Sequence, residues 1–334
     1  MRTLAGGVRS VTTPAVVIAA PTSGSGKTTI ATGLMGALRA AGHTVTGFKV
    51  GPDFIDPGYH ALATGRQGRN LDPVLVGPEL VGPLYRHGSD DADIAVVEGV
   101  MGLFDGRIEA GTATVATGST AHVAGLIGAP VILVVDARGQ SHSIAALLHG
   151  FSTYDTATRV GGVILNRVGS PRHEQVLRQA CESAGIAVLG AEPRDDEIAV
   201  PSRHLGLITA VEHGRAATAA VAAMTGLITR HVDLAAVAAL AGARVPAAPW
   251  HPGVAGEPVA GAPVVAVAAG PAFSFGYAEH SELLRAAGAH VVEFDPLTER
   301  LPDGTAGLVL PGGFPEQYPV ELSGNDTLRA DIAA

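Results

Sequence analysis

Short runs of apolar residues alternate with amphipathic stretches between residue 15 and about residue 208 of this 334-residue chain. The apolar runs are continuous, which is typical of parallel strands buried on both faces of a sheet. The amphipathic stretches predict helices that cover that sheet, so the fold class is α/β. The predicted strands span residues 16–20, 45–50, 94–98, 131–136, 161–166, 188–191 and 205–209. The predicted helices span residues 27–40, 118–127, 141–150 and 172–185.

The pattern changes after an alanine-rich helical stretch at residues 213–242. A segment rich in proline and alanine follows, and it predicts a linker. Beyond it, three apolar runs and one helical pattern predict the first part of another α/β unit. We therefore expect an N-terminal extension at residues 1–13, an α/β domain at 14–242, a linker at 243–262 and an incomplete α/β domain at 263–334.

Composition and charge argue against several classes of partner. The net charge is −9 and no basic stripe is visible, so we expect no nucleic-acid partner. No run reaches the roughly 18 apolar residues of a membrane span and no signal sequence precedes the first strand, so we expect a cytoplasmic protein without membrane contact. Cys181, the single cysteine, excludes internal disulfides and is interpreted as a small, semi-buried helix residue. The 13 histidines lack metal-ligand spacing, and most are interpreted as surface or capping residues without a chemical role.

The chain contains only two lysines, Lys27 and Lys49, and both follow apolar strand-like runs. Lysine is a compact charge that suits contact with a phosphate, whereas the guanidinium of arginine is a wide planar fork. Residues 21–28 match the phosphate-binding pattern G-x-x-x-x-G-K-[ST] except at Pro21, and they stand between a predicted strand and a predicted helix. This context favours a phosphate-binding loop over a chance glycine- and serine-rich turn. The predicted phosphate-binding residues are Ser23, Gly24, Ser25, Gly26, Lys27, Thr28 and Thr29.

Acidic residues follow two of the other predicted strands. Asp53 and Asp56 come after Lys49, at a strand end where α/β sheets place ligands. Their proline and glycine neighbours also allow both to be turn residues, and the spacing alone does not separate the two interpretations. Glu98 ends a strand in the manner of a Walker B acid, so that it and the Thr28 hydroxyl could hold magnesium.

Four motifs together resemble the family of cobyrinic acid and hydrogenobyrinic acid a,c-diamide synthases. They are KVGPDFIDPGYH at residues 49–60, NLDP at 70–73, EGVMGLFDG at 98–106 and PGGFPE at 311–316. The resemblance covers nearly all of the chain from residue 15. It implies an ATPase domain like that of dethiobiotin synthetase, joined to a class I glutamine amidotransferase domain. It also implies amidation of the a and c acetate side chains of a corrin polycarboxylate, through acyl phosphates made from ATP with Mg²⁺, with ammonia from glutamine.

The resemblance also assigns roles to residues of this sequence. Thr28, Asp53 and Glu98 would bind Mg²⁺, and Lys49 would stabilise the transferring phosphoryl group. Asp56 and Asp105 match acids that position the substrate and support turnover. Asn166 falls where related synthetases read the adenine edge, although it could simply end a strand. Gly312 and Gly313 would help form the oxyanion hole of the glutaminase, whose cysteine nucleophile does not follow, so we expect a truncated amidotransferase domain.

Other functions stay open at this point. Within the same enzyme class, the alternatives are cobyric acid synthase and another tetrapyrrole amidase. A P-loop switch ATPase of the partitioning type is a second class, although the early loop positions and the lack of a basic amphipathic tail do not favour it. A scaffold without catalysis is the third. The sequence leaves undecided whether the macrocycle contains cobalt and which acetate reacts first. It also leaves the oligomeric state undecided, with a homodimer as one option.

Overall fold

The computed structural model describes residues 12–108, 114–194 and 209–334. The strands in these ranges are β1 Ala15–Ala19, β2 Val45–Val50, β3 Arg69–Leu71, β4 Ile94–Glu98, β5 Val131–Asp136, β6 Val160–Val168, β7 Val188–Pro193, β8 Val264–Ala268, β9 His290–Phe294 and β10 Thr305–Val309. The helices are α1 Lys27–Ala40, α2 Asp56–Thr64, α3 Pro73–Val76, α4 Pro78–Gly88, α5 Thr120–Ile127, α6 Ser143–Thr153, α7 Pro171–Ser183, α8 Ala210–His213, α9 Arg215–His231, α10 Leu234–Leu240, α11 Ala278–Ala286, α12 Pro319–Gly324 and α13 Asp326–Ala333.

Seven of these strands form one sheet in the order β3-β2-β4-β1-β5-β6-β7, and every neighbouring pair runs parallel. One apolar core lies on each face of the sheet. The central strands β1 and β4 are buried at every position, as their continuous apolar sequences predict. The predicted α/β sheet flanked by helices is confirmed.

Helix α1 packs closely against α9 because its glycines let the two backbones approach. A methyl group at Gly33 would lie 2.6 Å from the carbonyl oxygen of Met224, so even alanine would collide there. Buried residues of both helices belong to the core on one face of the sheet. The packing therefore holds the start of α1 in a defined position relative to the sheet edge.

The predicted elements match the described ones closely where the sequence is periodic. The strands predicted at residues 45–50, 94–98 and 131–136 have the observed bounds. Strand β3 and helices α2, α3 and α4 were not predicted, because they lie in a stretch with many prolines and glycines. The strand predicted at 205–209 lies outside the described residues, except for residue 209. No helix in the described ranges is both long and apolar enough to cross a membrane.

A smaller sheet follows, in the parallel order β10-β8-β9. The segment before it does not stand away from the large sheet. Val245 is buried in the first core, and the backbone N–H of Trp250 donates to the carbonyl oxygen of Pro83. Residues 243–250 thus pack on the first unit.

Side chains of the two units meet beside the loop between β2 and α2. Phe54 in this loop stacks on Phe275 and Tyr277, with ring centroids 5.0 and 4.7 Å apart. Nearby, Arg69 forms ion pairs with Glu279 and Glu282 of α11. The contact places residues that follow β8 next to the acidic loop that holds Asp53.

Candidate nucleotide and phosphoryl-transfer site

The predicted site residues come from one edge of the large sheet. Strands β1, β2, β4 and β6 are parallel, so their carboxyl ends lie at the same edge. Ligands of open α/β sheets bind outside this edge, where loops of neighbouring strands converge. Lys49 and Glu98 are register partners on β2 and β4, which places their side chains on the same face.

The loop between β1 and α1 has the backbone of a phosphate cradle. Gly24 and Gly26 adopt left-handed backbone angles, with φ of 76° and 100°. A methyl group at Gly26 would also lie 2.2 Å from Nδ2 of Asn166, so this position requires glycine. Gly26 is the N-cap of α1 and carries no side chain to bond the first-turn amides. These amides can therefore bind an anion at the positive end of the helix.

Lys27 extends across the loop and donates to the carbonyl oxygen of Met101, in the segment after β4. Met101 has a φ of 47°, an unusual conformation for a residue with a side chain. Burial and the nearby charge of Lys49 both lower the pKa of Lys27. The ammonium group thus lies between the phosphate loop and the segment that carries Asp105.

Glu98 is fully buried at the end of β4 and bonds three side chains. Thr28 Oγ1 donates to Oε1 of Glu98 at 2.5 Å, and Lys49 Nζ donates to the same oxygen at 3.0 Å. The third partner is His60, whose Nε2 lies 2.7 Å from Oε2. Burial alone would raise the pKa of Glu98, but Lys49 and the hydrogen bonds from His60 and Thr28 outweigh it and hold the pKa well below its usual range.

Lys49 is only 5% exposed, and its ammonium group lies between the carboxyl groups of Asp56 and Glu98. Its Nζ donates to Asp56 Oδ2 at 2.6 Å as well as to Glu98. Burial lowers the pKa of Lys49, but the attraction of both carboxylates outweighs this and raises the pKa above its ordinary value. Burial and the repulsion of Glu98 raise the pKa of Asp56 to about 8 despite Lys49. Asp56 is therefore harder to ionise than an ordinary aspartate, although it lies against the Lys49 ammonium group.

His60 is the site residue that sequence reasoning missed. No histidine was given a chemical role and most were assigned to surface or capping positions, but His60 is fully buried and contacts Glu98. Its Nδ1 is buried without a hydrogen-bond partner in the described structure. No helix was predicted to begin at Asp56. Such a prediction would have placed His60 at the site, because His60 lies one turn after Asp56 on the same face of α2.

The remaining predicted residues lie around this centre. Asp53 Oδ1 accepts hydrogen bonds from the backbone N–H groups of Ile55 and Asp56. These are the contacts expected of a turn residue. Asp105 Oδ2 accepts from the backbone of Gly102 and closes the loop after β4. Asn166 Nδ2 donates to the carbonyl oxygen of Ser25 at 2.9 Å, which places this amide against the phosphate loop.

The oxygen donors at this edge suit magnesium held together with phosphates. In the described ranges, no group of three or more His, Cys, Asp or Glu side chains could hold a metal by itself. Magnesium commonly takes only one or two carboxylates beside water and substrate phosphates. The hydroxyl of Thr28 and the carboxylate of Glu98, which already touch, fit that pattern. They do not fit a cage made of protein ligands alone.

Two other predictions concern residues away from this centre. Cys181 is buried in α7, and burial raises the pKa of its thiol to about 11, which leaves it a poor nucleophile. Gly312 and Gly313 follow β10, where the backbone N–H of Phe275 donates to the carbonyl oxygen of Gly312. The predicted role of these glycines in an oxyanion hole stays a prediction.

The raised pKa of Asp56 predicts how stability depends on pH. Between its ordinary value of 3.8 and about 8, the folded chain keeps a proton that the unfolded chain loses, so Asp56 makes stability fall as pH rises. Relative to Asp56→Asn, the unfolding free energy of the wild type should fall by about 1 kcal/mol per pH unit between pH 5 and pH 8. Urea denaturation of both proteins at several pH values measures this. Parallel stability profiles would contradict the raised pKa.

Residues 16–208 match the family described as "CobQ/CobB/MinD/ParA nucleotide binding domain". Among solved structures, the septum site-determining protein MinD in complex with Mg-ADP, from Pyrococcus horikoshii, is 18% identical. That alignment covers 68% of this chain and 98% of the MinD chain, with a TM-score of 0.38. This likeness is too distant to carry an argument.

Curated relatives are much more similar. A "Hydrogenobyrinate a,c-diamide synthase" of Mycobacterium tuberculosis is 71% identical over 95% of this chain and 70% of its own length. A "Cobyrinate a,c-diamide synthase" of Synechococcus sp. is 40% identical over 95% of this chain and 69% of its own length. With this identity and coverage, the chain belongs to the family of hydrogenobyrinate and cobyrinate a,c-diamide synthases.

Proposed function

We propose that this chain is an ATP-dependent carbon-nitrogen ligase that amidates the a and c acetate side chains of hydrogenobyrinic acid. The names of its relatives support the reaction, and the 71% identity to a hydrogenobyrinate enzyme favours that substrate over cobyrinate. The observation that carries the proposal is the convergence of Lys27, Lys49 and Glu98 on the phosphate loop. ATP is the phosphoryl donor, and Thr28 and Glu98 would hold Mg²⁺.

The chemistry requires activation because a carboxylate has no good leaving group for attack by ammonia. An acetate oxygen attacks the γ-phosphorus of ATP, the bond to the bridging oxygen breaks, and ADP leaves. Ammonia then attacks the acyl carbon and phosphate departs with the electron pair of the carbon-oxygen bond. Loss of one proton leaves the amide. Two such cycles give the a,c-diamide.

The basic residues stabilise negative charge during the first step. Lys27 can exchange the Met101 carbonyl for a phosphate oxygen, because its ammonium group already lies across the loop. Lys49 is held beside the end of β4 and can neutralise charge on the transferring group. When bound, magnesium supplies further positive charge to the phosphate oxygens.

Two carboxyl groups near the basic residues would have different effects on an acidic substrate. Ionised Glu98 keeps its charge beside Lys49, His60 and Thr28, which all bond it. Asp56 takes up a proton more readily than an ordinary aspartate, because burial and Glu98 raise its pKa to about 8. When protonated, Asp56 would not repel the substrate acetate and could donate a hydrogen bond to it. This supports a substrate-positioning role for Asp56, and we extend that role to Asp105.

We further propose that residues 263–334 belong to a domain that supplies ammonia from glutamine. Support comes from the contact of this unit with the acidic loop. Phe275 stacks on Phe54 of that loop. It also makes a T-shaped contact with Phe314, with ring centroids 5.0 Å apart. The aromatic contacts run from the loop after β10, which holds Gly312 and Gly313, to the loop that holds Asp53. Ammonia released near this contact would have a short path to the acyl phosphate.

Hydrogenobyrinic acid should stimulate ATP hydrolysis when ammonium chloride is present, and the product should lose about one mass unit per amide formed. Ammonium is the donor of choice because the readout then does not depend on glutamine chemistry. Lys27→Ala should abolish both signals while the chain stays folded. Hydrolysis that ignores the corrinoid but responds to DNA or lipid vesicles would instead support a partitioning-type ATPase.

Asn166 is proposed to read the adenine edge, because its amide lies against the phosphate loop. Asn166→Ala should raise the KM for ATP by about tenfold and reduce the preference for ATP over GTP, while the KM for the corrinoid stays unchanged. Steady-state kinetics with each nucleotide measures this. An unchanged nucleotide preference would assign Asn166 to support of the loop alone.

A further inference from the structure

A cavity of about 600 Å³ opens beside the phosphoryl-transfer site, between the loop after β4 and helix α6. Phe104 and Asp105 of that loop line it. Leu147, Gly150 and Phe151 of α6 also line it, together with Tyr154 just after that helix. Its volume is in the range of small-molecule sites. We call it the aromatic cavity.

Three aromatic rings line the aromatic cavity. Phe104 and Phe151 are nearly parallel, with an angle of 16° and centroids 5.8 Å apart. The ring centroid of Tyr154 lies 4.9 Å from that of Phe104, and Tyr154 is 57% exposed. The exposed ring of Tyr154 therefore leaves apolar surface at the cavity that a flat ligand can cover.

Asp105 connects the cavity to the phosphoryl-transfer site. It lines the cavity, and its Oδ2 accepts a hydrogen bond from the backbone N–H of Gly102, whose neighbour Met101 accepts one from Lys27 of the phosphate loop. A ligand seated on the aromatic rings would therefore have one edge near the lysine that we assign to phosphate binding. Small residues at Ala116, Ala146 and Gly150 leave room for a broad ligand.

We propose that the aromatic cavity binds the face of the corrin macrocycle, so that one acetate of the ring edge reaches the phosphate loop. This inference rests on the proposed function. The ring plane is broad and largely apolar, whereas its rim carries carboxylates. Eight of the nine lining residues are uncharged, so they match the ring plane and not the rim. Rim carboxylates remain in water, and the acetate nearest Asp105 is the one presented for phosphorylation.

Gly150→Leu tests the proposal by filling the cavity. A Cβ built at Gly150 meets no atom within 4 Å, so the first carbon of the new side chain has room, and leucine favours the helix more than glycine does. Gly125→Leu is the matched control, because Gly125 also lies on a helix with open space around it and lines a different cavity. The affinity for hydrogenobyrinic acid, followed by its visible absorbance, should fall at least about tenfold for Gly150→Leu only. ATP affinity and melting temperature should match the control.

Tyr154 provides a second, independent test. Tyr154→Ala should weaken corrinoid binding by about tenfold, and Tyr154→Phe should retain it because the ring face is kept. Wild-type affinity in both Gly150→Leu and Tyr154→Ala would overturn the proposal. So would a change of oligomeric state in sedimentation, because it would assign the cavity to a contact between two copies. A wild type that binds the corrinoid without ATP-dependent amidation would instead contradict the proposed function and leave the cavity assignment intact.

Discussion

Glu98→Gln is expected to lower the rate of amidation by about a thousandfold while the chain still folds. The substitution removes a negative charge from the pair Thr28 and Glu98, which we assign to magnesium. It also keeps the shape of the side chain. Lys49 then pairs with Asp56 alone, and the pKa of Asp56 falls because the repulsion of Glu98 is gone. This second pairing limits the loss of stability.

Turnover and melting temperature should therefore separate in this variant. Glu174→Gln is a suitable control, because Glu174 lies on the surface of α7 in an ion pair with Arg178. It should change neither quantity. If Glu98→Gln turned over at the normal rate, Glu98 would have no part in catalysis. If it failed to fold, the role of Glu98 would be structural.

Lys49→Arg is expected to reduce amidation by about a hundredfold, although it keeps the positive charge. The ammonium group donates to three oxygens, on Asp56, Glu98 and the backbone of Gly99, within a buried space. A planar guanidinium is wider and cannot reproduce these three contacts. Lys49→Ala should be worse, because it leaves buried carboxylates without their cation at a cost of about 3 to 5 kcal/mol.

Single-turnover kinetics with saturating ATP and ammonium distinguishes these outcomes from a loss of nucleotide binding. Circular dichroism and ATP affinity provide the controls for Lys49→Arg. Turnover of Lys49→Arg near the wild-type level would contradict the argument that this position requires lysine. It would show that any buried cation suffices between Asp56 and Glu98.

The sequence predicted the large sheet because its strands are apolar over their whole length. Strands β1, β2, β4 and β5 lie at the centre of the sheet, where burial on both faces requires such runs. Strand β3 is different, because it has only three residues and begins with Arg69, which pairs with acids of α11. Its position depends on contacts with a distant part of the chain, and no local pattern reports those.

The candidate site was predicted in part. The structure brings together Lys27, Thr28 and Glu98 around the phosphate loop, as their motifs indicated. Spacing could not show that Lys49, Asp56 and Glu98 form one buried network, because that depends on where α2 begins. The same start of α2 determines the position of His60. The magnesium role of Asp53 stays a prediction, since the described contacts of Asp53 are those of a turn residue.

The central claim is that this site makes an acyl phosphate from a substrate acetate. Hydrogenobyrinic acid with heavy oxygen in its carboxylates tests it, with ATP, Mg²⁺ and ammonium as the other reactants. The account predicts one labelled oxygen in the released phosphate for each amide formed, because that oxygen bridges carbon and phosphorus before ammonia displaces it. Amide formation with unlabelled phosphate would contradict the account.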